Sequence, residues 1–434
     1  MSSSKAVTKL QASIIAIILV VVAIAGVYLY QQTVTPPPPT GPIKIGLVAI
    51  MASPIGVSDK VAMEIAIEEI NKQGGILGRP LELIVKDWKR EVPLGVAAYK
   101  DLVMKEGCLV VVVETSELTS ACLEEGAKLY PEYPHILMST YSASVWEYNI
   151  KVYKEYDKYK FYFNPYGVTT STQYWVYEHM HPELIGDVMG VKKVALLIED
   201  AMWTTPHRKG IPGLYPTLKE ALEKQGFDVV FYSEISAGEK MFLPIFEKIA
   251  ASGAELIILT SAYVDTVTFA KQWAESPAKD IPILFGAGAC NWKVFWNLTG
   301  GACLGTLTWE PEVDAPITEK TLKFIQAMRE KGVGLHTGTW AAYDLVYALK
   351  AACEKAGTTE DVEAIIKALE EIEIVGVKGT VKFDDWHRIP TGAYVTPIGQ
   401  FQEDGKLIVV WPEWLREKTN PEDHYKTLEE LRKA

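Results

Sequence analysis

The chain has 434 residues and a formal net charge of −12, with 55 acidic against 43 basic side chains. That length is ample for two domains, and an acidic chain without a basic block in its soluble part disfavours nucleic-acid binding. The five cysteines are odd in number and form no CxxC pair; Cys108 with Cys122, and Cys290 with Cys303, fall at different heights of strand–helix units, so they read as buried free thiols and not as bridges.

Residues 1–11 form a short N-terminal segment, cytoplasmic or cleaved. Residues 12–30, ASIIAIILVVVAIAGVYLY, carry no charge and make a helix long enough to span a bilayer. Lys5 and Lys9 precede it, which keeps the N-terminus inside and the bulk outside. The run ends in bulky Tyr28-Leu29-Tyr30 with no small-x-small site, so a retained anchor is favoured over a cleaved secretory signal. Residues 31–42, QQTVTPPPPTGP, read as a polyproline II stalk. With so little of the chain inside, any consequence of binding outside is expected to pass through another membrane protein.

Ile43 to Ile50 is strand-like. A helical pattern follows, with apolar Val61, Ile65, Ala66 and Ile70, then the break Gly74-Gly75-Ile76-Leu77-Gly78-Arg79 and a second strand, Leu81 to Val85. Strand, helix and strand in this order make one βαβ unit and a parallel sheet. The alternation continues with a helix over 93–105, a strand over 109–113, a helix over 118–130 and a strand over 135–138. A second series places helices over 174–179, 213–225, 243–252 and 264–274. Its strands fall over 193–198, 228–232, 256–260, 283–285 and 304–309. Three helices follow, over 318–331, 339–355 and 359–371. Residues 395–401 and 407–411 form a terminal hairpin turning at Glu403-Asp404-Gly405-Lys406. The charged residues after Trp414 read as a surface helix or a frayed tail.

Three stretches carry a resemblance: EEIN-x-x-GGI-x-GR at 68–79, Ala342-Tyr343-Asp344-Leu345-Val346, and GTVKFD with GQFQEDGKLIVVWP near the end. They resemble the leucine/isoleucine/valine-binding protein family, the type I solute-binding proteins of ABC importers, and the likeness runs from residue 43 to about 415. It implies a type I periplasmic binding protein: two doubly wound α/β lobes joined by three crossover strands. Lobe 1 takes residues 43–163 and 311–383, lobe 2 takes 164–310 and 384–418, and 419–434 is a C-terminal tail. The implied function is binding a small solute, an amino acid or an amino-acid-like or amide compound, with no cofactor and no metal. The implied partners are an ABC permease and its ATPase subunits. The leader is also similar to archaeal class III, pilin-like signals, in which cleavage after Lys5-Ala6 would leave the apolar helix in place.

In open α/β sheets ligands bind beyond the carboxyl ends of the strands. Ser116 follows the 109–113 strand and opens a helix, where free N–H groups and the helix dipole favour an anion. It reads as a solute carboxylate ligand, as a helix cap, or as both. The resemblance places Ser142 and Ser144 at solute contacts, Trp203 where an aromatic closes over the solute, and Tyr263 at a cleft tyrosine. The alternative for Trp203 is ordinary packing between lobes. The family's amino-acid binders carry a Glu after the 283–285 strand to meet the solute ammonium; Gly288 stands there in this chain. A buried ammonium without a carboxylate is costly. Either Glu117, Asp265 or Glu310 takes that place, or the solute lacks the ammonium. Tyr141, Trp203, Tyr263 and Trp309 near strand ends would suit a flat or apolar solute, or belong to the core. Asn297-Leu298-Thr299 is a sequon open to glycosylation once exported.

An enzyme is disfavoured. There is no Walker A loop, no HExxH and no GxSxG. The seven histidines are scattered, with His179 and His181 read as surface positions. Asp384-Asp385 and Glu310/Glu312 fall at crossovers, where acids cap turns. A ligand-sensing ectodomain of the same fold, relaying through a partner, is the alternative to transport.

Overall fold

The structure, a computed structural model, describes residues 20–21, 41–286, 289–336 and 338–433. The span expected over 12–30 therefore lies outside the described residues save Val20 and Val21, as do residues 31–40 of the stalk and Gly288. No helix among the described residues is long and apolar enough to cross a membrane. Ile43–Ala434 forms one compact unit of the chain.

The first sheet holds β1 (Ile43–Ala49), β2 (Leu81–Asp87), β3 (Val110–Val113), β4 (Ile136–Ser139) and β5 (Tyr162–Phe163) in the order β2-β1-β3-β4-β5. Every pairing is parallel. β3 is four consecutive valines, all buried, as a parallel strand covered on both faces requires. Helix α1 (Pro54–Lys72) starts with proline in its first turn and Ser53 capping the Ile55 N–H at 3.2 Å. It stops at Gly74-Gly75, both with positive φ; a Cβ on Gly75 would lie 1.9 Å from the Arg79 carbonyl oxygen. Helices α2 (Val92–Met104) and α3 (Ser116–Leu129) complete the first series.

The second sheet contains β6 (Lys193–Glu199), β7 (Asp228–Ile235), β8 (Leu256–Thr260), β9 (Ile283–Phe285), β10 (Leu307–Trp309), β13 (Ile398–Phe401) and β14 (Leu407–Trp411). Its order is β14-β13-β10-β9-β8-β6-β7, parallel from β7 to β10 and antiparallel at β13 and β14. Helix α4 (Thr170–Met180) leads into it, and α5 (Leu218–Lys224), α6 (Leu243–Ser252) and α7 (Thr266–Glu275) connect its strands. The chain then returns: α8 (Thr321–Glu330), α9 (Thr339–Ala356) and α10 (Val362–Glu370) pack Phe324, Leu345, Leu349 and Ile366 into one core with Ile45, Leu47, Ile65 and Ile70. The short ribbon β11 (Ile374–Val375) and β12 (Thr380–Val381) follows. The chain thus crosses between the sheets three times: after β5, after β10 and from the turn between β11 and β12 onward. This is the type I periplasmic binding protein fold.

Several elements differ from the sequence reading. The helix expected from Gly213 begins at Leu218, where Thr217 and Glu220 form a reciprocal capping box. The strand expected from Leu304 begins at Leu307, because Gly301 and Gly305 hold turns with φ of 83° and 79°. His181 is not on the surface. A π-helical turn, His181–Val188, extends α4 and buries the His181 ring against Tyr177 and Phe227. The tail is ordered as α11 (Glu413–Thr419) and α12 (Leu428–Lys433), with Leu415, Leu428 and Leu431 buried. All five cysteines are buried free thiols.

Candidate functional site

Residues just beyond β3 and β4 of the first lobe, and beyond β6, β8, β9 and β10 of the second, line one cavity between the lobes. The space between these side chains, open solvent at its mouth included, is about 570 Å³. Ser116, Tyr141 and Ala143 come from lobe 1; Trp203, Thr260, Ala262, Tyr263, Gly286, Trp309 and Glu310 come from lobe 2. Tyr166 and Val168, on the first crossing, and Gln173 and Tyr177, on α4, close the side next to the hinge.

The lobe 1 end is an N-terminal turn. Thr115 caps α3 with its side chain toward the Leu118 N–H and its carbonyl toward the Thr119 N–H at 3.1 Å. It does so with φ of 59°, an unusual conformation for a β-branched residue and one that concentrates at functional sites. The Ser116 hydroxyl accepts the Ser144 N–H at 3.2 Å and lies 3.4 Å from the Tyr148 hydroxyl. Ser142 sits behind this wall, 2.7 Å from the Thr119 hydroxyl. Ser144 is buried there too, and its hydroxyl has no hydrogen-bond partner among the described residues.

The lobe 2 end is organised by Glu199, the last residue of β6. Its carboxylate accepts the N–H of Ala262 at 3.0 Å, of Tyr263 at 2.9 Å and of the Trp203 indole at 3.2 Å. One buried acid therefore fixes both aromatic walls. Burial pushes the Glu199 carboxyl above its ordinary range, opposed by those N–H donors. Glu310, with φ of 47°, carries its carboxylate inward to a buried ion pair with Lys378 on the third crossing. The Lys378 ammonium also lies 5.8 Å from the centre of the Trp340 ring. Burial drives the Lys378 pKa down.

Three ring contacts join residues of the two lobes. The Arg90 guanidinium lies 4.8 Å over the Tyr263 ring. Trp146 meets Tyr215 at 5.1 Å, and Trp292 meets His336 edge-on at 4.4 Å.

Of the residues singled out in the sequence, Ser116, Tyr141, Trp203, Tyr263, Trp309 and Glu310 converge on the cavity. Ser142 and Ser144 lie one layer behind it. Glu117, in the first turn of α3, is half-buried and off the wall. Asp265 caps α7 through the Thr268 N–H at 3.0 Å and pairs with Lys240 at 3.0 Å. Asn297 is exposed, while the hydroxyl of its sequon partner Thr299 is buried and donates to the Phe295 carbonyl at 2.8 Å. Sequence reasoning missed Tyr166, Gln173, Tyr177, Lys378 and Glu199. Only Glu199 left a signal: a charged residue closing an otherwise apolar buried strand, VALLIE. No group of three or more His, Cys, Asp or Glu able to hold a metal occurs among the described residues.

Two α/β lobes on three crossings, with a cavity between their facing strand ends, define a two-lobed solute-binding protein. The periplasmic binding protein family matches residues 42–406, and the chain belongs to it. It is a binding protein and not an enzyme, of the kind that serves ABC transporters. The Leu/Ile/Val-binding protein homolog 3 of Brucella melitensis is 27% identical over 381 residues, covering 84% of this chain and 93% of the relative. Among solved structures, the LivJ protein of Streptococcus pneumoniae in complex with isoleucine superposes with a TM-score of 0.65 at 21% identity, covering 86% of this chain and 100% of that one. A solute-binding protein of R. palustris in complex with 4-hydroxybenzoate gives 0.67 at 19% identity, covering 85% and 95%. These structural likenesses are likenesses of fold.

Proposed function

We propose that the chain is the membrane-tethered solute-binding component of an ABC importer. It takes a small carboxylate-bearing solute, an amino acid or an amino-acid-like or amide compound, between its lobes and hands it to the permease. One observation carries this reading: the cavity is walled by both lobes, so a solute bound there bridges them and favours the closed form. In this reading residues 43–163 with 311–383 move as one body and 164–310 with 384–418 as the other. Ser116, Trp203 and Tyr263 hold the solute, and Ser142 and Ser144 support the Ser116 end. Two of the similar proteins named above were solved with monocarboxylates, which agrees with an anion at the start of α3. The uncharged run over 12–30 and the proline stalk hold the lobes outside the membrane.

Native mass spectrometry of the purified, unheated protein is expected to show a retained small molecule. Loss of uptake of that molecule in a strain lacking the chain would establish transport; unchanged uptake would turn the reading to a sensing ectodomain. Deleting residues 1–35 is expected to leave a soluble protein that still binds. An insoluble product without a cooperative melting transition would overturn the tether.

A further inference from the structure

The lobe 2 carboxylates at and behind the cavity are committed. Glu199 is held by three N–H donors. Glu310 faces Lys378, and Asp265 is taken up by the α7 cap and Lys240. The loop after β9, Gly286-Ala287-Gly288-Ala289, has no acidic side chain in its sequence. The Glu310–Lys378 pair shares one ionisable proton, so it is uncharged overall whether written as carboxylate and ammonium or as acid and amine. A solute ammonium placed at the lobe 2 end of this cavity would meet no free negative charge, and an uncompensated buried cation is prohibitive.

The opposite end suits an anion. Helix α3 is 14 residues long, and its first N–H groups, those of Ser116 and Glu117, lie ahead of the two that Thr115 takes. The Ser144 hydroxyl, buried and unpartnered among the described residues, belongs to the residue whose N–H already binds Ser116. Between the ends stand Tyr141, Tyr166, Tyr177, Trp203, Tyr263 and Trp309. Two polar atoms in the wall are buried without a partner among the described residues: the Trp309 indole N–H and the Gln173 carbonyl oxygen. One donor and one acceptor are together what a hydroxyl or an amide satisfies.

We infer that the solute is a monocarboxylate with a flat, uncharged body ending in a hydroxyl or amide, and without an α-ammonium group. The inference rests on the cleft reading above, and the Glu310–Lys378 pair acts as its charge filter.

Calorimetric titration of the full chain in detergent with matched pairs tests it: 3-phenylpropanoate against phenylalanine, 3-(4-hydroxyphenyl)propanoate against tyrosine, and 4-methylpentanoate against leucine. In the unsubstituted protein the member without the amino group is expected to bind at least tenfold more tightly, most clearly in the hydroxylated pair. Lys378→Met leaves the Glu310 carboxylate uncompensated and is expected to move the preference at least tenfold toward the amino acid. The double variant Glu310→Gln with Lys378→Met should restore the original order. Equal or tighter binding of the amino acids by the unsubstituted protein overturns the inference and leaves the cleft reading standing. Binding of neither member of any pair overturns it as well. If the pairs bind and Trp203→Ala leaves their affinities unchanged, the cleft reading itself falls.

Discussion

Trp203 is only 6% exposed, and its indole N–H is spent on Glu199. Its contribution to a solute is therefore its aromatic surface. Truncation to Ala is expected to cost about 1–3 kcal/mol of affinity, and Ser116→Ala about 1 kcal/mol, both read by calorimetry with the retained solute. Unchanged affinity in both variants would remove these residues from the site. Glu199 is fully buried and off the cavity wall, yet Glu199→Ala would strand three buried donors and release both aromatic walls. It should lower stability by about 1–3 kcal/mol and weaken binding more than Trp203→Ala does; retention of full affinity would deny it the positioning role. Ser116, Trp203 and Tyr263 were legible in the sequence because each follows a strand at its carboxyl end. Glu199 and Lys378 were not legible as site residues. Their partners are main-chain N–H groups of a distant loop and an acid on another crossing, and such pairings leave no periodic trace.

At the scale of elements, the Tyr343-Asp344 motif of α9 explains how a helix governs the hinge. Asp344 accepts the Val377 N–H at 3.0 Å and the Tyr394 hydroxyl at 2.9 Å, so one carboxylate holds both ends of the third crossing. Gly376 is required beside it, since a Cβ there would lie 2.3 Å from the Asp344 carboxylate. Burial pushes the Asp344 carboxyl up to about 7, outweighing the hydrogen bonds that favour the ionised form. The native state therefore holds a proton that the unfolded chain releases near pH 4. That contribution is complete below the unfolded value and is lost as pH rises through about 7. Asp344→Asn cannot titrate. Relative to it, the unsubstituted protein should lose unfolding free energy between pH 4 and 7, by about 4 kcal/mol at most, in urea titrations. Parallel pH profiles for the two proteins would refute the assignment. The alternation of strands and helices was readable because the parallel strands are continuous apolar runs. What pairs α8, α9 and α10 with the first sheet is long-range packing, and only the family resemblance gave it. The π-helical turn after α4 was hidden by Pro182, which reads locally as a break.

At the scale of the whole molecule, closure has a chemical consequence at His336. Its backbone N–H binds Thr339, whose hydroxyl reaches Ser58 on α1, so the residue is fixed to lobe 1. Its ring is covered by Trp292 of lobe 2. Burial under that contact pushes its pKa down to about 4. If the lobes part around the hinge, the imidazole regains water and returns toward its ordinary value of about 6.5. The closed form then binds fewer protons than the open form below that value, so protonation favours opening. Solute affinity is expected to be flat above pH 6.5 and to fall by up to about tenfold per pH unit toward pH 4. The solute carboxylate itself stays mostly ionised down to about pH 5, which separates the two effects. His336→Asn should bind with little dependence on pH between 5 and 7.5, and Trp292→Ala should shrink the dependence by leaving the ring wet in both forms. Dissociation constants at pH 5, 6 and 7.5 for the three proteins decide it. Identical slopes in all of them would mean that His336 does not sense closure and that its contact with Trp292 is present in the open form as well.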